Sequence, residues 1–318
     1  MVTISLLALP IAFLIALAWG PWLIERLRDL RFGKRIRVEG QEHHMAKQGT
    51  PTMGGWLFIV TSGGVIAATT PWATVALPIG ASMLLFGAFG ALDDYANIKN
   101  REGVGFQIRA QLLWQVLLAA AIGAAIYFVA GVDSTRIPGI GSIALGAWMI
   151  PFAALVIYAT ASGANIIDGL DGLAGGTIAI ALVVFAIVAA RAGQWNLATA
   201  ILAIVGAILG FLWFNVHPAR LFMGGAGSLA IGAALGTVAL LTEQPFILPI
   251  VGGLFVLVLL SVILQVGYFR LTGGKRLFKR APFHHHLELS GWPEVQIVFR
   301  SWVAAAVLGA IGLAVSSI

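Results

Sequence analysis

Long apolar runs, separated by short polar segments, fill this chain from end to end. The runs lack the strict alternation of a half-buried strand, and most are too long for a core helix of a water-soluble domain. A helix needs about 20 apolar residues to cross the hydrocarbon core of a bilayer. Ten candidate spans follow: 3–24, 55–70, 73–92, 108–130, 145–160, 175–190, 197–214, 228–241, 246–269 and 297–315. They predict an all-α, polytopic integral membrane protein with about ten transmembrane helices in a single domain over residues 1–318. The first run lacks a basic start and a small-residue cleavage site, and a basic stretch follows it. It therefore reads as a retained helix and not as a signal peptide.

The polar segments sort by charge. Alternate connections, 25–54, 93–107, 161–174, 215–227 and 270–296, together with Arg109 and Arg300 at the adjoining helix ends, hold 17 of the 19 Lys and Arg. Arg136 and Arg191 alone fall on the other side. The positive-inside bias then places the first set in the cytoplasm and both termini outside. All six His and 11 of the 13 acids belong to that set, the exceptions being Asp133 and Glu243. No candidate span carries an ionisable residue near its middle, where proton-coupled transporters and pumps usually keep one. The expected site is a cytoplasmic face where several loops converge.

Composition narrows the classes further. The chain is 59% hydrophobic and 10% charged with a mean hydropathy of +0.96, which excludes a water-soluble single-core protein and a disordered chain. It has no cysteine, so disulfides, thiolate metal sites and cysteine nucleophiles are excluded. The net charge of +6 reflects the positive-inside bias and contact with membrane lipid, with no nucleic-acid partner expected.

Five segments carry candidate chemistry. Asp93 and Asp94 end the third span, where two adjacent carboxylates repel each other and face the negative end of a helix dipole. They are either solvated end charges or groups compensated by a cation, and oxygen-only donors favour Mg²⁺ or Mn²⁺ over zinc. In residues 165–176 (NIIDGLDGLAGG), Asp168 and Asp171 are three apart, so a helical turn would set both on one face. The glycines there let backbone approach a ligand, or serve helix packing. Residues 222–228 (FMGGAGS) form a glycine-rich entry to a helix, which suits an anion such as phosphate. His284, His285 and His286 sit in a basic loop; consecutive side chains diverge, so phosphate contact or acid–base work fits them better than one shared ion. Lys47, just before residues 49–55 (GTPTMGG), is a candidate phosphate contact. Together they describe a site for a phosphorylated, water-soluble ligand at a membrane surface, suited to phosphoryl transfer, which needs positioning and cations more than covalent help.

These segments, GTPTMGG at 49–55, DDY at 93–95, NIIDGLDGLA at 165–174, HPAR at 217–220 followed by FMG at 222–224, and PFHHHLELSGWP at 282–293, resemble the phospho-N-acetylmuramoyl-pentapeptide transferases. These are a branch of the polyprenyl-phosphate N-acetylhexosamine-1-phosphate transferases. The resemblance runs through nearly the whole chain in order. It implies a ten-helix homodimer in the bacterial cytoplasmic (inner) membrane, with its active site on the cytoplasmic side. It further implies Mg²⁺-dependent transfer of phospho-MurNAc-pentapeptide from UDP-MurNAc-pentapeptide to undecaprenyl phosphate, giving lipid I and UMP for peptidoglycan synthesis. By the same resemblance Asp93, Asp94 and Asp168 would serve catalysis and the metal, with Asp93 a base, and His284, His285 and His286 would act beside them. Lys47, Thr52, Asn165, Gly169, Leu170, Asp171 and Phe222 would bind substrate, Phe222 by stacking on uracil.

Three positions depart from the family pattern. Gly225 stands where a metal-binding Asp is usual, Ser162 where Asn is usual, and Asn97 where Lys is common. Two alternatives stay open: a related transferase for another UDP-N-acetylhexosamine, against which the triple-His and GTPTMGG segments argue, and a catalytically impaired homologue that binds nucleotide or lipid, which Gly225 supports.

Overall fold

The structure, a computed structural model, describes residues 2–30, 32, 49–99 and 105–318. Lys47 lies outside the described residues. The chain forms α1 (Val2–Asp29), α2 (Gly55–Thr69), α3 (Leu77–Lys99), α4 (Ile108–Phe128), a hairpin of β1 (Ser134–Ile137) and β2 (Gly141–Ala144), and α5 (Met149–Ile167). It continues through α6 (Leu173–Arg191), α7 (Trp195–Asn215), α8 (Gly224–Leu241), the one-turn α9 (Leu248–Val251), α10 (Gly253–Leu271), α11 (Phe283–Glu288) and α12 (Glu294–Val315).

Among the described residues, nine helices are long and apolar enough to cross a membrane, and α2, with 15 residues, is a shorter apolar tenth. At 1.5 Å per residue α2 covers about 22 Å, less than the ~30 Å hydrocarbon core. The span expected at 246–269 is a broken one. A 3₁₀ turn (Pro245–Ile247) and α9 precede a break at Gly252, and α10 then runs uninterrupted. Pro245 and Pro249 cannot donate backbone hydrogen bonds, and adjacent Gly252 and Gly253 favour an exit from helix geometry.

Helix α8 is the centre of the bundle. It is buried from Ala226 to Leu241, packing on α2, α3, α5 and α6. Its Gly- and Ala-rich sequence is the cause, since small side chains let neighbouring backbones approach closely in lipid. A Cβ on Gly55 of α2 would lie 2.1 Å from the Gly227 Cα, so neither helix could sit there with a larger residue at position 55. Helix α1 packs on α7 and α7 on α6, while α1, α4, α10 and α12 turn residues such as Leu14, Trp114, Leu260 and Phe299 outward. Apolar side chains on both faces fit a helix bundle surrounded by hydrocarbon.

The helices alternate between two ends. One end gathers the C-termini of α3, α5 and α7 and the N-termini of α2, α8 and α12. At the other end the Arg136 N–H donates to the Glu243 carbonyl at 2.7 Å, and Arg191 reaches the Ser317 hydroxyl at 3.2 Å. The two basic residues set apart by the charge sorting thus share the end opposite the acidic and histidine-rich segments.

Candidate functional site

Asp94 binds the start of α8. Its Oδ1 accepts the Gly225 N–H at 3.0 Å and its Oδ2 the Ala226 N–H at 3.1 Å. A carboxylate there caps free N–H groups and meets the positive end of the helix dipole. Asp93, one residue earlier, turns elsewhere. Its Oδ1 accepts the Phe106 N–H at 2.6 Å and the Gln111 side-chain amide at 3.0 Å, tying the loop before α4 to the end of α3. The expected repulsion between the two carboxylates is answered by separate sets of donors.

The segment at 49–55 lies against the entry to α8. The Phe222 N–H donates to the Pro51 carbonyl, and the Gly54 N–H donates to the Phe222 carbonyl, each at 2.8 Å. The Gly55 N–H adds a bond to the Met223 carbonyl at 3.0 Å. Phe222 is thus clamped through its backbone while its half-exposed ring stays at the surface. Gly224 has φ +71°, and a Cβ there would lie 2.5 Å from Asp94 Oδ2 and 2.7 Å from the Thr52 hydroxyl. Thr52 and Asp94 therefore present oxygens to the same small space.

Residues 168–172 do not continue α5. That helix ends at Ile167, Asp168 caps it with ψ 57°, and Gly172 adopts the left-handed φ of +82° from which α6 begins. The helical turn expected to align Asp168 with Asp171 is replaced by a tight reversal, because Gly169 and Gly172 weaken a helix and Gly172 tolerates positive φ. The Gly172 N–H donates to Asn215 Oδ1 at 3.0 Å and its carbonyl accepts the Trp302 indole N–H at 3.2 Å, which locks the reversal. Asp168 is half-buried, whereas Asp171 is 5% exposed and sits beside the loop after α7. There Asp171 Oδ2 meets His217 Nδ1 at 3.2 Å and accepts the Ala219 N–H at 3.1 Å. The Asp171 N–H donates to Glu294 Oε1 at 2.8 Å, and His217 Nδ1 lies 3.4 Å from Glu294 Oε2. Leu170 buries its side chain in the core, leaving only its backbone for a ligand. Asn165, exposed, accepts the Ser228 hydroxyl at 2.8 Å one turn into α8.

The three histidines diverge as consecutive residues must. His284 is 4% exposed, and its Nε2 would lie 2.3 Å from a Cβ on Gly169. Neither ring nitrogen finds a hydrogen-bond partner among the described residues. Burial, with a smaller contribution from neighbouring His285, lowers its pKa to about 3, so the ring is neutral at pH 7. His285 Nδ1 pairs with Glu288 at 2.6 Å, and His286 Nδ1 accepts the Lys279 N–H at 3.2 Å beside the Phe278 and Phe283 rings.

All the described motif segments therefore meet at one end of the bundle: 49–55 on 222–223, Asp94 on 225–226, Asn165 on Ser228, and Gly169 on His284. Sequence reasoning left His217, Asn215 and Glu294 without a role. Their signals were faint: a polar residue closing α7, a His two places on, and an acid opening α12. The oxygen donors at Asp93, Asp94, Asp168 and Thr52 suit a hard cation that keeps several waters, as Mg²⁺ does. Among the described residues, however, the His and carboxylate atoms that already converge within 4.8 Å are those of Asp171, His217 and Glu294.

Comparison with known proteins agrees with this arrangement. Residues 76–243 match glycosyl transferase family 4. A phospho-N-acetylmuramoyl-pentapeptide-transferase of Desulforapulum autotrophicum is 45% identical, across 95% of this chain and 89% of its own length. Proteins of the same description from Aquifex aeolicus and Bacillus licheniformis are 42% and 41% identical, covering 97% and 98% of this chain and 91% and 97% of their own. With identity of this order sustained from end to end, and with the motif segments gathered around the entry to α8, the chain belongs to the phospho-N-acetylmuramoyl-pentapeptide transferase family, a group of membrane-embedded phosphotransferases.

Proposed function

We propose that the protein acts as one transferase domain that moves phospho-MurNAc-pentapeptide from its UDP carrier to undecaprenyl phosphate, releasing UMP and forming lipid I. The observation that carries this reading is the meeting of three motif segments at the entry to α8, with 49–55 on 222–223, Asp94 on 225–226 and Asn165 on Ser228, while a fourth brings His284 against Gly169. In the transfer, a phosphate oxygen of the lipid bonds to the sugar-linked phosphorus while the bond from that phosphorus to the bridging oxygen breaks, and UMP leaves with that oxygen.

Each group has a part. Phe222, its backbone held at both ends, offers a fixed ring for the uracil face, and the Gly169–Asp171 turn borders the nucleoside. Asn165 lies beside the nucleotide sugar. Thr52 and Lys47 line the phosphates, and His284, neutral, offers one N–H and one lone pair to phosphate oxygens or hydroxyls with no charge to desolvate. Asp93 takes the remaining proton of a lipid phosphate monoanion. Asp93, Asp94 and Asp168 would hold Mg²⁺, which supplies neutralisation of the charge that spreads over the transferring phosphoryl oxygens. Because the sequence segments that carry the motifs hold, with Arg109 and Arg300 at the adjoining helix ends, 17 of the 19 Lys and Arg, the site faces the cytoplasm, in the inner membrane of a bacterium, and the protein works as a homodimer.

The sugar nucleotide used separates this reading from the hexosamine alternative, and turnover separates it from the binding role that Gly225 supports. Release of UMP is measured with UDP-MurNAc-pentapeptide and with UDP-GlcNAc, in each case with undecaprenyl phosphate. Exclusive use of UDP-GlcNAc would overturn the muramoyl reading. Tight binding of UDP-MurNAc-pentapeptide without UMP release at any Mg²⁺ concentration would replace it with a binding role.

A further inference from the structure

Asp93, near the end of α3, is gripped by the loop that leads into α4. Phe89, one turn earlier on α3, stacks its ring on that of Phe106, with centroids 5.9 Å apart and planes at 28°. This anchors residue 106, whose N–H donates to Asp93 Oδ1 at 2.6 Å. A Cβ on Gly105 would collide with the Asp93 carboxyl, so the loop backbone comes this close only with glycine there. Gln111, in the first turn of α4, completes the grip: its Nε2 donates to the same Oδ1 at 3.0 Å. The two donors therefore share one oxygen, and Asp93 Oδ2 has no hydrogen-bond partner among the described residues. Asp94 is held differently, with one N–H on each of its oxygens.

We infer that Gln111 is a positioning residue for the transfer: it fixes the Asp93 carboxyl so that Oδ2 is the oxygen presented to the lipid phosphate. The inference rests on the proposed role of Asp93 as base. In that step the phosphate O–H bond breaks, an O–H bond forms at Oδ2, and the electron pair left on the phosphate oxygen attacks the sugar-linked phosphorus. The rotation of an aspartate carboxyl about its last torsion is broad, with no sharp staggered wells. One backbone donor leaves much of that freedom. A second donor, arriving from a different helix, removes it and assigns the two oxygens separate tasks, one held and one reacting. A neutral amide suits this work. It donates to the carboxylate without an ion pair, so the negative charge that draws the proton is not cancelled beside it. The signal in the sequence is slight: one glutamine in the first turn of an apolar helix, 18 positions after the aspartate it serves.

The test measures kcat and KM of the full chain in detergent with UDP-MurNAc-pentapeptide, undecaprenyl phosphate and Mg²⁺. Gln111→Glu keeps the size of the side chain but removes the donor. Gln111→Leu removes it without adding charge, and melting temperatures identify which variants are folded. In each, kcat is expected to fall by roughly 10- to 100-fold, the scale of misplacing a reacting group by about 1 Å, with KM for both substrates nearly unchanged. Gln111→Lys restores an N–H donor of sufficient reach and is expected to recover most of the loss. In an Asp93→Asn background, Gln111→Leu is expected to add little, because its effect passes through Asp93. A folded donor-less variant with wild-type kcat would overturn the inference. So would a Gln111→Lys protein as slow as Gln111→Leu, or losses that multiply in the double variant, which would make Gln111 a support of the fold alone. In all three cases Asp93→Asn stays slow and the base role stands. Wild-type turnover in Asp93→Asn itself would overturn the base role, and this inference with it.

Discussion

Replacing His284 with leucine separates what this residue does for function from what it costs the fold. The imidazole is buried against Gly169 with neither nitrogen hydrogen-bonded among the described residues. An unsatisfied buried polar group costs about 1–3 kcal/mol. Leucine removes that cost and has a similar reach, so His284→Leu is expected to be as stable as wild type at pH 7.5, or more stable by about 1 kcal/mol. The pH dependence gives a second number. His284 titrates near 6.5 when unfolded and near 3 when folded, so between those values the unfolded chain binds the extra proton. Its contribution is complete above pH 6.5 and is lost as pH falls toward 3. At pH 5 the loss is about 1.5 pH units of linkage, or about 2 kcal/mol at 1.36 kcal/mol per unit. Thermal unfolding of both proteins in detergent, from pH 8 to pH 4.5, reads this directly. The variant's midpoint should fall less on acidification, by a few degrees at pH 5. UMP release should collapse in the same variant, because the fold tolerates an unpaired imidazole only where a ligand completes it. A variant less stable than wild type at pH 7.5, or one with the same acid slope, would refute the reasoning.

Other substitutions test the remaining contacts. Asp93→Asn keeps the Oδ1 acceptor used by Phe106 and Gln111, so its melting temperature should hold while turnover falls at least about 100-fold, the usual contribution of a general base. Asp94→Asn sets an amide N–H against one of the two N–H groups at the α8 entry, and denaturation should show a loss of about 1–2 kcal/mol. Phe222→Ala should weaken UDP-sugar binding roughly 5- to 150-fold by calorimetry, the worth of one stacked base, and leave undecaprenyl phosphate binding nearly unchanged. Gly225→Asp puts a Cβ 3.1 Å from Asp94 Oδ1 without requiring positive φ. Two carboxylates then meet, so the variant should melt lower without Mg²⁺, recover with it, and reach half-maximal rate at less Mg²⁺ than wild type.

Much of the fold was legible because a bilayer demands it. Runs of about 20 apolar residues and the one-sided distribution of Lys and Arg separated the two ends of the bundle. The break at Gly252 was less legible, since Pro245, Pro249 and paired glycines interrupt a span that hydropathy reads as continuous. The segments of the site were legible as motifs, but their directions were not. Asp93 and Asp94 are neighbours in sequence and point to different partners. Asp171 shares a motif with Asp168 and yet is tied to His217 and Ala219 of the loop after α7, because Gly172 reverses the chain and Asn215, distant in sequence, holds the reversal. Side-chain direction after a left-handed turn depends on tertiary partners that no local spacing encodes. The near-contact between Gly169 and His284 is of the same kind: 115 residues separate them, and only the packed structure shows that glycine is required there.

The most direct test of the central claim is product formation in a purified system. The full chain is supplied with radiolabelled UDP-MurNAc-pentapeptide, undecaprenyl phosphate and Mg²⁺, and UMP and lipid-linked label are counted together. The account predicts that both products appear in equal amounts, depend on the lipid and on the divalent ion, and disappear in Asp93→Asn. UMP released without lipid-linked label, or label incorporated only from UDP-GlcNAc, would contradict it.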